Sequence, residues 1–165
     1  MRIGREDYDK GASDGPREQP AANETYEAVI GTIEDVGVQP GFKDQGPRPM
    51  VCIAFELSER DSKGGHFVLF QKYGLNLFKS KDGTKVSNLR ALFDTLRPNV
   101  DNSEVDTADF VGMNCRVLVS HDAKGRARVD RVLPAKPGQG VKAEKDYSEP
   151  WGLTKWLLGN RIDKE

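Results

Sequence analysis

The stretch from His66 to Arg97 constrains the fold of this chain more than any other. An aromatic-rich segment (HFVLFQKY) passes through a lysine-rich connection (KSKDGTK) into SNLRALFDTL. Leu89, Leu92, Phe93 and Leu96 recur there at i, i+3, i+4 and i+7, which puts them on one face of a helix. Ser87 has the chemistry of an N-cap, and Pro98 stops the helix just after Arg97. A strand, a basic loop and a short amphipathic helix, set within a chain otherwise patterned for strands, point to a small barrel.

The flanking segments fill in the order. Tyr26 to Val38 (YEAVIGTIEDVGV) reads as a long, β-branched first strand, with Gly31 and Gly37 marking a bulge or coil. The loop QPGFKDQGPRP leads to a second strand, Met50–Leu57, whose alternation puts Val51, Ile53, Phe55 and Leu57 on one face. The polar turn RDSKGG joins it to the third strand, His66–Tyr73. After the helix comes an acidic stretch, 99–110, which reads as a solvated loop. Asn114–His121 and Ala127–Leu133 then form a closing hairpin across DAKGR. Five strands with a helix between the third and fourth is the order of the OB-fold, an all-β barrel. An SH3-like barrel and a split α+β sandwich are the rival arrangements.

Residues 1–25 are polar and aperiodic and read as a disordered arm. Residues 26–134 form the folded domain, 135–150 a Pro/Gly/charge-rich flexible linker, and 151–165 a Trp-rich segment with a short helix. Net charge is −1, so no global field draws in nucleic acid. Locally the balance differs, with eight Lys and Arg between Arg60 and Arg97 against three Asp. Cys52 and Cys115 sit in apolar runs and are expected as buried free thiols, and two histidines without close Cys spacing make a zinc site improbable. No cofactor or metal is expected. There is no apolar run of membrane-span length and no signal-like N-terminus, so a cytoplasmic location is expected. GxSxG, Walker and GxGxxG motifs are absent, so the chain is read as a non-enzyme.

OB-folds bind single strands across strands two and three, between the one–two and four–five loops. Each of those places carries candidates. The first loop has Phe42, Lys43 and Arg48, and the third strand has Phe70, Lys72 and Tyr73. The connection has Lys79, Lys81 and Lys85, and the last hairpin has His121, Lys124, Arg126 and Arg128. Lysine and arginine would neutralise phosphates and release counterions, and aromatic faces would stack on unpaired bases. Each residue also has an ordinary reading. Phe70 and Tyr73 can pack, the lysines can solvate a turn, and the arginines can be hairpin-tip charges. Alternation puts Phe67, Leu69, Gln71 and Tyr73 opposite Val68, Phe70 and Lys72. Phe67 with Leu69 looks like the core side, which makes Phe70 beside Lys72 the surface pair.

The C-terminal segment holds both tryptophans. Leu153, Trp156 and Leu157 share a helical face there, and Trp151 precedes them. The segment either docks on its own barrel, meets a second protomer, or offers a motif to a partner groove. As an adaptor, the chain would use its barrel and this segment to assemble a replication or virion complex without catalysis.

YEAVIGTIEDVGV, VCIAFEL, KYGLNLF, VSNLRALFDTL and the hairpin GMNCRVLVSHDAKGRARVDRVLP together resemble the OB-fold single-stranded DNA-binding proteins of tailed bacteriophages. The resemblance covers residues 26–134. It departs at KYGLNL, where a Tyr-Thr-Leu-like run would be expected, and at the inserted KDGTK. It implies a single-stranded DNA-binding protein that protects phage replication or recombination intermediates in an infected bacterial cell. Replication or recombination proteins would meet its C-terminal segment.

Overall fold

The computed structural model describes residues 18–41 and 45–162. Eight elements follow one another: β1 (Glu24–Gln39), β2 (Arg48–Arg60), β3 (His66–Gly74), α1 (Asn88–Leu96), a 3-10 turn (Thr107–Asp109), β4 (Asn114–His121), β5 (Ala127–Pro134) and α2 (Leu153–Asn160). The strands form one antiparallel sheet in the order β3-β2-β1-β4-β5. The protein is therefore mostly β, with a helix between β3 and β4 and a second after β5. The expected closure into a barrel is not completed by a ladder. β3 and β5 are the two edges of the sheet, and an open groove separates them, lined also by Asn88, Ala91, Leu92 and Thr95 of α1.

β1 is long enough to serve both halves of the sheet, pairing with β4 through residues 24–29 and with β2 through residues 28–39. Its register with β2 shifts between Ile30 and Thr32 and again between Asp35 and Val38. These are the positions around Gly31 and Gly37, and Gly37 has a φ of 72° that favours glycine. The inner face follows the alternation. Val51, Ile53, Phe55 and Leu57 are buried with Ile30, Leu69, Val117 and Val119. Burial of each large apolar side chain contributes roughly 1.5–3 kcal/mol.

α1 closes this core with Leu89, Leu92 and Phe93. Ser87 caps it by accepting a hydrogen bond from Arg90 N at 3.2 Å. Phe93 stacks on Phe110, with centroids 4.2 Å apart. The acidic stretch after α1 is folded back rather than simply solvated. Asn102, fully buried, donates to Asp94 Oδ1 and Arg97 O and accepts from Arg97 Nη2. The Arg97 guanidinium lies 4.8 Å from the centre of the Phe110 ring. Cys52 and Cys115 are buried free thiols. Burial pushes them up to about 11 and about 12, respectively.

The outer face of β1–β3 carries a second apolar cluster: Val36, Cys52 and Leu157, with Met50, Phe70, Leu153 and Leu158 around them. It exists because the chain after β5 returns across the sheet. Residues 135–150, linker-like in composition, contain neither helix nor strand, yet they are tied down along their length. Gln139 Nε2 donates to Cys115 O at 2.7 Å and Asn114 Nδ2 to Val141 O at 3.0 Å. The fully buried Glu56 carboxylate accepts from Glu144 N (2.7 Å), Lys145 N (3.1 Å) and Tyr147 Oη (2.7 Å). Tyr147 lies over Gly31 so closely that a Cβ there would stand 2.3 Å from its ring. Trp151 then meets Phe70 edge-on at 4.9 Å, and α2 inserts Leu157. The segment from Gln139 to Ile162 acts as a strap over the sheet.

Candidate nucleic-acid interface

Strand β3 divides the candidate residues. Phe67 and Leu69 face the core as alternation requires, and Tyr73 packs against the same core, where burial pushes its phenol up. Tyr73 is therefore partly buried, and it also lines the groove beside Lys72. Phe70 does point to the outer side, but that side is occupied by Trp151, Tyr147 and the chain between them. The expectation of a surface aromatic at Phe70 thus differs from what is found. The reason is a segment 81 positions downstream that no strand pattern registers. Two carboxylates of the sheet lie near the strap, Glu34 beside Thr32 and Phe70 and Glu56 bonded to Tyr147.

Lys72, two residues beyond Phe70, escapes the cover. It is exposed and lines the groove of about 560 Å³ between the sheet edges, together with Gln71, Asp130 and Arg131. Neither Lys72 nor Arg131 has an ion-pair partner among the described residues. The β3–α1 connection stands at the C-terminal end of β3 and is a small ordered hairpin. Lys79 bridges Val86, and Ser80 N donates to Lys85 O at 2.8 Å. Asp82 organises its turn. The Thr84 backbone N–H and the Ser80 and Thr84 hydroxyls hold its carboxyl down to about 2. This hairpin displays Lys81 and Lys85, which have no ion-pair partner among the described residues, while Lys79 reaches Asp94 at 3.3 Å. It also displays Phe78, 54% exposed, with Leu75 and Val86.

Arg48 opens β2 at the same end of the sheet. It pairs with Gln39, its side chain lies against Gly74, and Pro49 O accepts from Leu75 N at 2.9 Å. Phe42 and Lys43, the other first-loop candidates, lie outside the described residues. The β4–β5 tip sits at the opposite end of the sheet. Arg126 and Arg128 both contact the Asp122 carboxylate there, at 2.9 and 3.3 Å. The Arg126 N–H and the guanidinium hold that carboxylate well below its ordinary range. His121 is engaged with Pro20 O at 2.7 Å, and Lys124 of that tip has no ion-pair partner among the described residues.

The C-terminal residues also divide. Trp151, Leu153 and Leu157 lie against the sheet, whereas Trp156 is 62% exposed. At about 3.6 residues per turn, the side of α2 that carries Leu153, Thr154, Leu157 and Leu158 leaves Trp156 pointing away. Spacing of i, i+3 and i+4 alone had grouped it with Leu153 and Leu157.

Two surface residues at this edge, Phe78 and Arg131, are not among the binding candidates read from the sequence. Phe78 had a signal, since it is the aromatic of LNLFKSK beside the lysines. Arg131 had none, because its place follows from the approach of β5 to β3. Trp156 is among the partner-binding candidates of the C-terminal segment, together with Trp151, Leu153 and Leu157. Among the described residues, no helix is long and apolar enough to cross a membrane. No group of three or more His, Cys, Asp or Glu side chains among them is placed to hold a metal ion. No protein-family model, curated protein or solved structure matches the chain.

Proposed function

We propose that this chain binds single-stranded DNA with little sequence preference, on an OB-like scaffold. The supporting observation is a run of exposed cations, without ion-pair partners among the described residues, beside the free edge of β3. It comprises Lys72 and Arg131 in the groove and Lys81 and Lys85 on the adjoining hairpin, with the exposed Phe78 among them. Phosphate neutralisation supplies affinity without reading sequence, and a flat aromatic face accepts any unpaired base. The strand order, with α1 between β3 and β4 and capping the core, is that of an OB-fold left open between β3 and β5. The resemblance to phage single-strand binders adds a role, which is protection of replication or recombination intermediates.

In this reading the DNA does not cross the outer face of β2 and β3. It follows the exposed edge of β3 and the basic hairpin. The experiment is a titration of a fluorescein-labelled oligo(dT) at 50 and 300 mM salt, with a duplex of equal length as the control. Binding that weakens steeply with salt and favours the single strand is expected. No anisotropy change at 50 mM salt would end the proposal, and equal affinity for duplex would remove the stacking part of it.

A further inference from the structure

The strap takes one aromatic away from the surface and puts another on it. Phe70 is covered by Trp151, while Trp156, five residues later, is the most exposed large apolar side chain among the described residues, at 62%. An indole left in water on a helix whose opposite side is well packed forgoes burial that the same helix obtains at Leu157.

The position of α2 is what gives Trp156 meaning. Gln39 Nε2 donates to Leu157 O at 2.8 Å, and Ile162 N donates to Val38 O at 2.9 Å. Gln39 pairs in turn with Arg48, and Arg48 lies against Gly74, where the basic hairpin begins. α2, Arg48 and the hairpin with Phe78, Lys79, Lys81 and Lys85 therefore occupy one end of the sheet. The helix contains Lys155 and no carboxylate, so it adds positive charge to that end.

We infer that Trp156 is a base-stacking residue, supplied by the C-terminal strap in place of the covered Phe70. The occupant is an unpaired base of a single strand whose phosphates lie against Arg48 and the hairpin lysines. The charge of this end favours a polyanion, and the indole face suits a flat base without reading its identity. The assignment rests on the single-stranded DNA reading above.

Two variants and one probe test it. The chain has two tryptophans, so the Trp156→Phe variant leaves Trp151 as the only indole emitter. Adding oligo(dT) is expected to quench the wild-type emission and to leave that of Trp156→Phe nearly unchanged. Trp156→Ala is expected to bind labelled oligo(dT) about tenfold more weakly. Its melting temperature should be unaltered, because the side chain it removes is mostly in water. Quenching of equal size in Trp156→Phe, or undiminished affinity in Trp156→Ala, overturns the inference while leaving DNA binding itself intact. If the wild-type chain produces no anisotropy change with labelled oligo(dT), the DNA reading fails and the inference falls with it.

Discussion

Phe70 and Lys72 stand on the same side of one strand, separated by a single residue, and meet opposite surroundings. Phe70 lies under Trp151, next to two carboxylates and the buried Leu157 cluster. Lys72 is exposed at a groove that it shares with Arg131. Alternation reports which way a strand residue points, but what rests on that face is decided by parts of the chain far away in sequence. An aromatic on the outer side of the third strand is a stacking platform only if nothing has reached it first.

The contrast can be broken most forcefully from the covered side. Leu157→Ala is expected to lose about 2–5 kcal/mol, since it empties a fully buried site between β1, β2 and α2. Urea unfolding would read this. An effect below 1 kcal/mol would mean that the strap is only loosely applied.

Alkali tests both buried layers together. Cys52 beneath the strap and Cys115 in the inner core hold their thiols up to about 11 and about 12, respectively, through burial. In the unfolded chain thiols titrate near about 8.5. With the folded values raised, stability is fully present below about pH 8 and falls once the unfolded chain begins to release protons that the folded chain keeps. The loss is roughly 2–4 kcal/mol for the two thiols by pH 10, measured by urea midpoints at pH 7 and pH 10. The phenols of Tyr73 and Tyr147, also pushed up by burial, extend the decline at higher pH.

Gly31→Ala drives a methyl group into the Tyr147 ring at a nominal 2.3 Å and is expected to cost about 1–3 kcal/mol. Pairing it with Tyr147→Ala should recover part of that loss, and no recovery would show that the strap can shift out of the way. From the open side, Phe78→Ala should leave the urea midpoint within about 0.5 kcal/mol of wild type. It should weaken oligo(dT) binding by about 1–2 kcal/mol. The smallest effect is expected from replacing Lys72 and Arg131 together with alanine, which should lower the slope of log affinity against log salt by about 1.4. A slope unchanged by that pair would move the phosphate path out of the groove.

Much of the scaffold was legible in the sequence because it is built from local regularities. The Leu89–Leu96 spacing, the Ser87 cap and the closing hairpin from Asn114 need only neighbours to be recognised. Gly31 and Gly37 likewise mark the two register shifts of β1. The strap was not legible, and for a physical reason. It is held by backbone N–H groups of Glu144 and Lys145 donating to a carboxylate 88 and 89 positions away, and it has no period of its own. Glu56 alternates with the inward-facing Phe55 and Leu57 of β2, yet it is fully buried as well, beneath the strap. The candidate site was half legible for the same reason. Its lysines could be read from composition, while the covering of Phe70 and the approach of Arg131 to Lys72 depend on tertiary structure.

The bond from Gln39 to Leu157 spans 118 residues. During synthesis β1 to β5 can pair in order as they leave the ribosome, but the outer side of β1–β3 waits for the last helix. The Glu56 carboxylate lacks its three donors until Tyr147 has emerged, Phe70 its cover until Trp151, and Cys52 its neighbour until Leu157. At elongation rates of about 5–20 residues per second, that interval after Pro134 lasts a second or more. A protein whose finished surface is cationic and aromatic at one end is therefore born with an apolar, acidic face on display. The nascent chain and the mature one would attract different company.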